Sequence, residues 1–168
     1  ITLLKGIESD ITSEGGLDYD DDVLSGFDFV VASVHSRLNM TEDEATERLL
    51  RAIDHPATTI LGHPTSRLLL AREGYPLDMP RIIQRCAQRS VAIELNASPH
   101  RLDVDWRWCR RAKEVGVPIA INPDAHSVDG LNDTEIGVAV ARKGWLGPDD
   151  VLNTRTLENF HLFAKKST

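Results

Sequence analysis

The sequence predicts an α/β fold built on parallel strands, and three observations carry that prediction. Five apolar, β-branched runs recur along the chain, at Leu3 to Ile7, Phe27 to Val34, Thr58 to Leu61, Val91 to Leu95 and Val117 to Ile121. The later runs are near-continuously apolar rather than alternating, the pattern of strands buried on both faces. Stretches of helical periodicity separate them, and strands alternating with helices at this spacing make a parallel sheet or an α/β barrel.

The elements follow in order. Lys5 and Gly6 interrupt the first run, which makes it the weakest strand. Thr41-Glu42-Asp43-Glu44 is a capping box, with Ala45, Leu49 and Ile53 on one face of the helix it starts. Asp78 is expected to cap a second helix, with Pro80 in its first turn and Ile82, Ile83, Cys86 and Ala87 facing inward. Asp103 is expected to cap a third, with Val104, Trp108 and Ala112 on one stripe and Gly116 as the stop. Two more helices are expected near Asp133 to Lys143 and Thr156 to Ala164. Trp106, Trp108 and Trp145 read as core or helix packing rather than as a base-stacking stripe.

With 168 residues, 41% of them hydrophobic, one packed domain over residues 1–168 is expected. No apolar run approaches the roughly 18 residues a membrane span needs. The chain opens on Ile1 rather than Met, so a longer gene product is expected. Cys86 and Cys109 are far apart and read as buried thiols in a reducing cytoplasm. The net charge of −7 argues against a nucleic-acid module working through overall charge. It leaves room for a metal enzyme acting on phosphates, because bound cations reverse the local sign.

The polar residues at the strand ends carry the chemistry. Glu8, His35, His63, Asn96 and Asp124 each follow an apolar run and recur roughly every 30 residues, one strand–helix unit apart. An α/β barrel places its active site at the carboxyl ends of its strands. Glu8, His35, His63, Asp124 and His126 are all ligands for Zn²⁺, Mn²⁺ or Fe²⁺. Together they suit phosphoester hydrolysis assisted by two or more cations, with the carboxylate of Glu8 as the natural bridge. His55, His100 and His161 follow no strand and read as surface or structural.

At these residues the chain resembles a family. Gly6-Ile7-Glu8, Val34-His35-Ser36, Gly62-His63-Pro64, Glu94-Leu95-Asn96 and Pro123-Asp124-Ala125-His126-Ser127 are similar to successive motifs of the PHP (polymerase and histidinol phosphatase) superfamily. Ser33 to Arg37, Gly62 to Thr65 with Arg67, Asn96 with His100 to Asp103, and Gly144-Trp145-Leu146 resemble the PHP domain of bacterial X-family DNA polymerases. The resemblance implies part of a distorted seven-stranded (β/α) barrel, with about five strands in this chain and two strand–helix units before it. It implies up to three divalent cations, Mn²⁺ or Zn²⁺. It also implies Mn²⁺-stimulated 3′–5′ exonuclease activity on DNA ends in DNA repair, beside upstream polymerase domains, with these residues alone weakly active or inactive. Carried over, Glu8 bridges the first two cations, Asp124 completes the first, His35 and His63 hold the second, and His126 belongs to the third. Arg37 and Arg67 are candidates for gripping a phosphate, and Asn96 for orienting substrate. The alternatives are a stand-alone phosphatase of the histidinol-phosphate type and a catalytically dead structural module.

Overall fold

Five strands form one parallel sheet in sequence order in the computed structural model, which describes residues 1–165. They are β1 (Gly6–Asp10), β2 (Phe29–Ser33), β3 (Thr58–Leu61), β4 (Ala92–Asn96) and β5 (Ile119–Asn122). A short turn of helix, α1 (Asp21–Leu24), follows β1, and α2 (Glu42–Asp54), α3 (Met79–Arg89) and α4 (Trp106–Glu114) connect the later strands. Parallel neighbours in sequence order, joined by crossovers of one hand, put the connecting helices on one face of the sheet. That is the topology of a (β/α) barrel rather than of a doubly wound sheet.

Burial follows from the apolar runs. Every residue of β3 and β4 is buried, the polar Thr58, Thr59, Glu94 and Asn96 among them. The main core packs Leu49 and Ile53 of α2, Ile82, Ile83 and Cys86 of α3 and Cys109 of α4 with Val34, Leu61, Ile93 and Ile119. On the other face, Ile60, Ala92 and Ala120 meet Phe160 and Phe163 of the last helix, α6 (Leu157–Ala164). Between them, α5 (Thr134–Lys143) packs on β4 and β5. The capping box of α2 is formed as expected, Thr41 Oγ1 accepting from the Glu44 N–H and Glu44 from the Thr41 N–H. Cys86 and Cys109 are fully buried, and burial, with Asp105 adding, pushes the Cys109 thiol up to about 12. Among the described residues no helix is long and apolar enough to cross a membrane.

Three expectations need correction. The first strand runs from Gly6 to Asp10, not from Leu3 to Ile7, and Leu3 is exposed. Gly6 belongs inside it because the Phe29 ring lies where a Cβ would be, 2.2 Å from the nearest ring atom. The cap of α4 is Asp105, whose carboxylate accepts from the Arg107 N–H. Asp103 is instead fully buried and accepts from the backbone N–H and hydroxyl of Thr65. Trp145 is no part of the core, being 72% exposed.

The outer sheet edges are partly covered by loops. Asn153 donates to the Ile121 carbonyl at 2.9 Å and accepts from the Ile121 N–H at 2.7 Å, so one side-chain amide replaces a strand beside β5. At β1, Asp18 accepts from the Asp10 N–H through its side chain and donates to the Asp10 carbonyl through its backbone. Such covering blunts an edge against pairing with another chain.

Candidate metal centre

The first three strands each contribute one donor, although Glu8 lies inside β1 and not, as the sequence suggests, beyond its end. Glu8 projects from β1, His35 lies just past the end of β2, and His63 just past the end of β3. Glu8 Oε1 lies 3.5 Å from His35 Nε2 and 3.3 Å from His63 Nε2, and the two ring nitrogens are 3.2 Å apart. One ligand atom from each residue falls within 4.8 Å of the others. Gly62 makes this approach feasible, since a Cβ there would lie 2.1 Å from Ser33 Oγ and 2.8 Å from the Val31 side chain.

Both imidazoles are held from behind. His35 Nδ1 contacts the Asp10 carboxylate, and this fixes the ring with Nε2 toward Glu8. His63 is 2% exposed, and its Nδ1 faces Ser66 Oγ at 3.4 Å. Because Ser66 donates its own proton to the Val34 carbonyl at 2.7 Å, its oxygen is left to accept from His63 Nδ1–H. That tautomer leaves the Nε2 lone pair for the site.

The three side chains hold one another by charge and hydrogen bonding. Glu8 is held well below the usual carboxylate range, first by its hydrogen bonds to His35 and His63, which outweigh its partial burial. His35 is pushed up to about 9, chiefly by the hydrogen bond to Glu8, against burial and with help from Asp10. Two nitrogens and one carboxylate oxygen, with no sulfur, suit Zn²⁺ or Mn²⁺ in their donor chemistry. The residues present therefore fit a divalent cation held by Glu8, His35 and His63.

Asp124 and His126 do not join this trio among the described residues. Asp124, beyond the end of β5, accepts from Asn96 Nδ2 at 3.1 Å and Arg101 Nε at 3.3 Å. His126 is exposed, with Nδ1 2.8 Å from the Asp124 carbonyl. A buried carboxylate links the two halves. Glu94 accepts from the His63 N–H at 2.8 Å, from Asn122 at 2.8 Å and, at 3.4 Å, from the Asn96 amide that also reaches Asp124. Burial pushes the Glu94 carboxyl up, with Asn122 and His63 opposing.

The candidate substrate groups fall into different environments. Arg37 is exposed, and among the described residues its guanidinium has no hydrogen-bond partner. Arg67 is committed internally, donating to the carbonyls of Arg101 and Leu102 and to Asp105. Asn96 is 1% exposed, with its amide on Asp124 and Glu94 and its oxygen accepting from the Ser98 N–H.

Sequence reasoning missed Asp10, Glu94 and Arg48. Asp10 could have been found from its alternation with Glu8, since residues two apart on a strand share a face. Arg48 gives no such signal. It is 3% exposed, and its guanidinium donates to the carbonyls of Ile11, Thr12 and Ser36, tying the ends of β1 and β2 together behind the site.

Fold and donors thus define a class: a parallel α/β scaffold presenting a histidine–carboxylate cluster at the carboxyl ends of its strands. Comparison with known proteins narrows it. The chain is 43% identical over 165 residues to the DNA polymerase/3′-5′ exonuclease PolX of Bacillus subtilis (strain 168), a match covering 98% of this chain and 29% of that protein. It is 29% identical over 164 residues to a protein named Probable phosphatase of Thermoanaerobacter sp. (strain X514), covering 92% of this chain and 64% of that one. A third relative, also named Probable phosphatase, from Caldanaerobacter subterraneus subsp. tengcongensis, is 30% identical over 136 residues, covering 75% and 51%. The chain is homologous to part of each and spans less than two thirds of any of them. No family model matches it.

Proposed function

We propose that this chain is a metal-dependent phosphoesterase unit of the PHP type that hydrolyses phosphodiesters at the 3′ ends of DNA strands. The observation that carries this reading is the convergence of Glu8 Oε1, His35 Nε2 and His63 Nε2, in a chain homologous to a protein named as a 3′-5′ exonuclease. Residues 1–168 are read as one domain working beside polymerase domains in a longer cytoplasmic protein concerned with DNA repair. Glu8, His35 and His63 are assigned to one cation, Mn²⁺ or Zn²⁺. Asp124 and His126 are assigned to further cations, up to three in all.

A divalent cation there supplies positive charge that polarises a phosphoryl oxygen and brings water toward ionisation at neutral pH. The chain's own residues do the rest. Asp10 and Ser66 hold the two imidazoles in the tautomers that present Nε2 to the site. Arg37, two residues past His35 and without an internal partner, is assigned to grip a phosphate with its guanidinium fork. Arg67 and Asn96 act by positioning: Arg67 braces the loop after β4, and Asn96 holds Asp124.

The two relatives named Probable phosphatase favour a second reading, hydrolysis of small phosphate monoesters. One assay separates them. A 5′-labelled single-stranded oligonucleotide and p-nitrophenyl phosphate are incubated with the longer protein that contains this chain, in Mn²⁺, in Zn²⁺ and in chelator. The first reading expects stepwise shortening of the oligonucleotide in metal and none in chelator. Turnover of the monoester alone would transfer the assignment to the phosphatase reading, and hydrolysis of neither substrate would remove both.

A further inference from the structure

The outer face where α4 meets the end of α5 has a character opposite to that of the chain as a whole. The protein carries a net charge of −7, yet α4 holds four cations, of which Arg107 pairs with the cap Asp105, Lys113 with Asp150, and Arg110 and Arg111 share Glu114, so the cations still outnumber their carboxylates. Two indoles lie among them. Lys143 Nζ sits 4.8 Å from the centroid of Trp106, and the Arg110 guanidinium 6.0 Å from that of Trp145. Among the described residues Lys143 has no carboxylate partner.

Trp145 is the unusual member. The Leu146 N–H donates to the Ala141 carbonyl and the Trp145 N–H to the Arg142 carbonyl, the paired bonds of a Schellman ending to α5. Trp145 occupies the left-handed position of that motif, at φ +65°, which ordinarily takes glycine. The indole is also 72% exposed. The residue before it, Gly144, is pressed against α4, since a Cβ there would lie 2.6 Å from Cys109 Cβ. Lys113 then fixes the turn by donating to the Trp145 carbonyl at 3.1 Å. A large aromatic in a strained conformation, displayed to solvent under a guanidinium, contributes little to the fold that glycine would not. Strain of this kind, where it is observed, points to a function.

We infer that this face binds single-stranded nucleic acid, with Trp145 as a stacking platform for a base, and with Lys143 and the Arg110–Arg111 pair, which share a single carboxylate, as contacts to the backbone phosphates. Cations interleaved with an exposed aromatic match an anionic polymer that carries flat apolar bases. The inference deepens the proposed function and rests on its nucleic-acid substrate, adding a surface where the strand is held away from the metal centre.

The test is fluorescence anisotropy of a labelled oligothymidylate with the full chain in chelator, so that no hydrolysis is needed. Trp145→Ala and Trp145→Gly are expected to weaken binding about 5- to 100-fold, the loss of one base stack. Lys143→Gln is expected to lower the slope of log affinity against log salt by about 0.7. Trp145→Gly should keep or raise the melting temperature, because glycine suits the left-handed position. Binding that ignores both Trp145 substitutions overturns the inference, as does the absence of binding. A fall in melting temperature with Trp145→Gly would make the indole structural and overturn it too. A concentration-dependent dimer that dissociates in Trp145→Ala would place a second copy on this face instead. Binding with the expected dependence but no nucleic-acid hydrolysis in metal would sink the proposed reaction while upholding this surface.

Discussion

Replacing Arg48 with Met keeps most of the aliphatic stem and removes the guanidinium that ties the ends of β1 and β2. The cost follows from the carbonyls it leaves behind. That of Ile11 belongs to a residue 1% exposed and loses its partner with no water to replace it, a penalty of about 1–3 kcal/mol. That of Thr12 is intermediate, and that of Ser36 is exposed and rehydrates at little cost. The expected loss is therefore about 2–4 kcal/mol, or about 4–16 °C in melting temperature for a chain of this length. The assay is urea unfolding, where the midpoint should fall at constant slope. Divalent-cation affinity should fall with it, because Asp10 and His35 lie at the two ends Arg48 joins. A stability loss under about 1 kcal/mol would refute the reasoning, since it would mean that water satisfies the Ile11 carbonyl as well as Arg48 does.

Two further predictions concern carboxylates. Asp10→Asn should weaken divalent-cation binding about 10- to 100-fold without unfolding the chain, because it alters the group that orients His35; calorimetric titration with Zn²⁺ checks this, and an unchanged affinity would dissociate Asp10 from the site. Asp105→Asn keeps a good helix cap and removes only the charge, so it isolates the pairing with Arg107 and Arg67. Although burial works to raise it, Asp105 is held well below the usual carboxylate range by donation from the Arg107 side chain and N–H and from Arg67. A depressed folded-state pKa gives stability that is present at neutral pH and is lost as pH falls below the unfolded value of about 3.9. The variant should be less stable by about 1 kcal/mol at pH 7, with the gap narrowing below about pH 4; a gap independent of pH would contradict the charge argument.

What the sequence made legible was local. The Thr41 box, the Asp78 cap with Pro80 and the β-branched run of β3 are each decided within a few residues, and the structure forms all three. The first strand was harder to read because its functional carboxylates, Glu8 and Asp10, occupy the alternate positions that would otherwise show an apolar pattern. Asp103 and Asp105 are chemically identical candidates for one cap, and only the position of Thr65, far away in sequence, decides which is buried. Arg48 and Arg67 look like solvated charges in sequence. Their long side chains reach carbonyls more than thirty residues away, at Ile11 and Leu102, and no local pattern announces such contacts. The convergence of His35 and His63 followed from their positions past successive strand ends, whereas Glu8 lies inside β1 rather than beyond it. The internal commitments of Asn96 and Arg67 did not, because hydrogen-bond partners are chosen only once loops from different strands meet.

The central claim is that Glu8, His35 and His63 hold a divalent cation, and calorimetric titration of the chain and of His35→Ala with Zn²⁺ tests it most directly. His35 is 38% exposed at its side chain, so its truncation leaves the core intact, and unchanged far-ultraviolet circular dichroism would verify that. The account predicts a saturable site in the unmodified chain and loss of that binding in the variant. Equal affinity in the two proteins would contradict it.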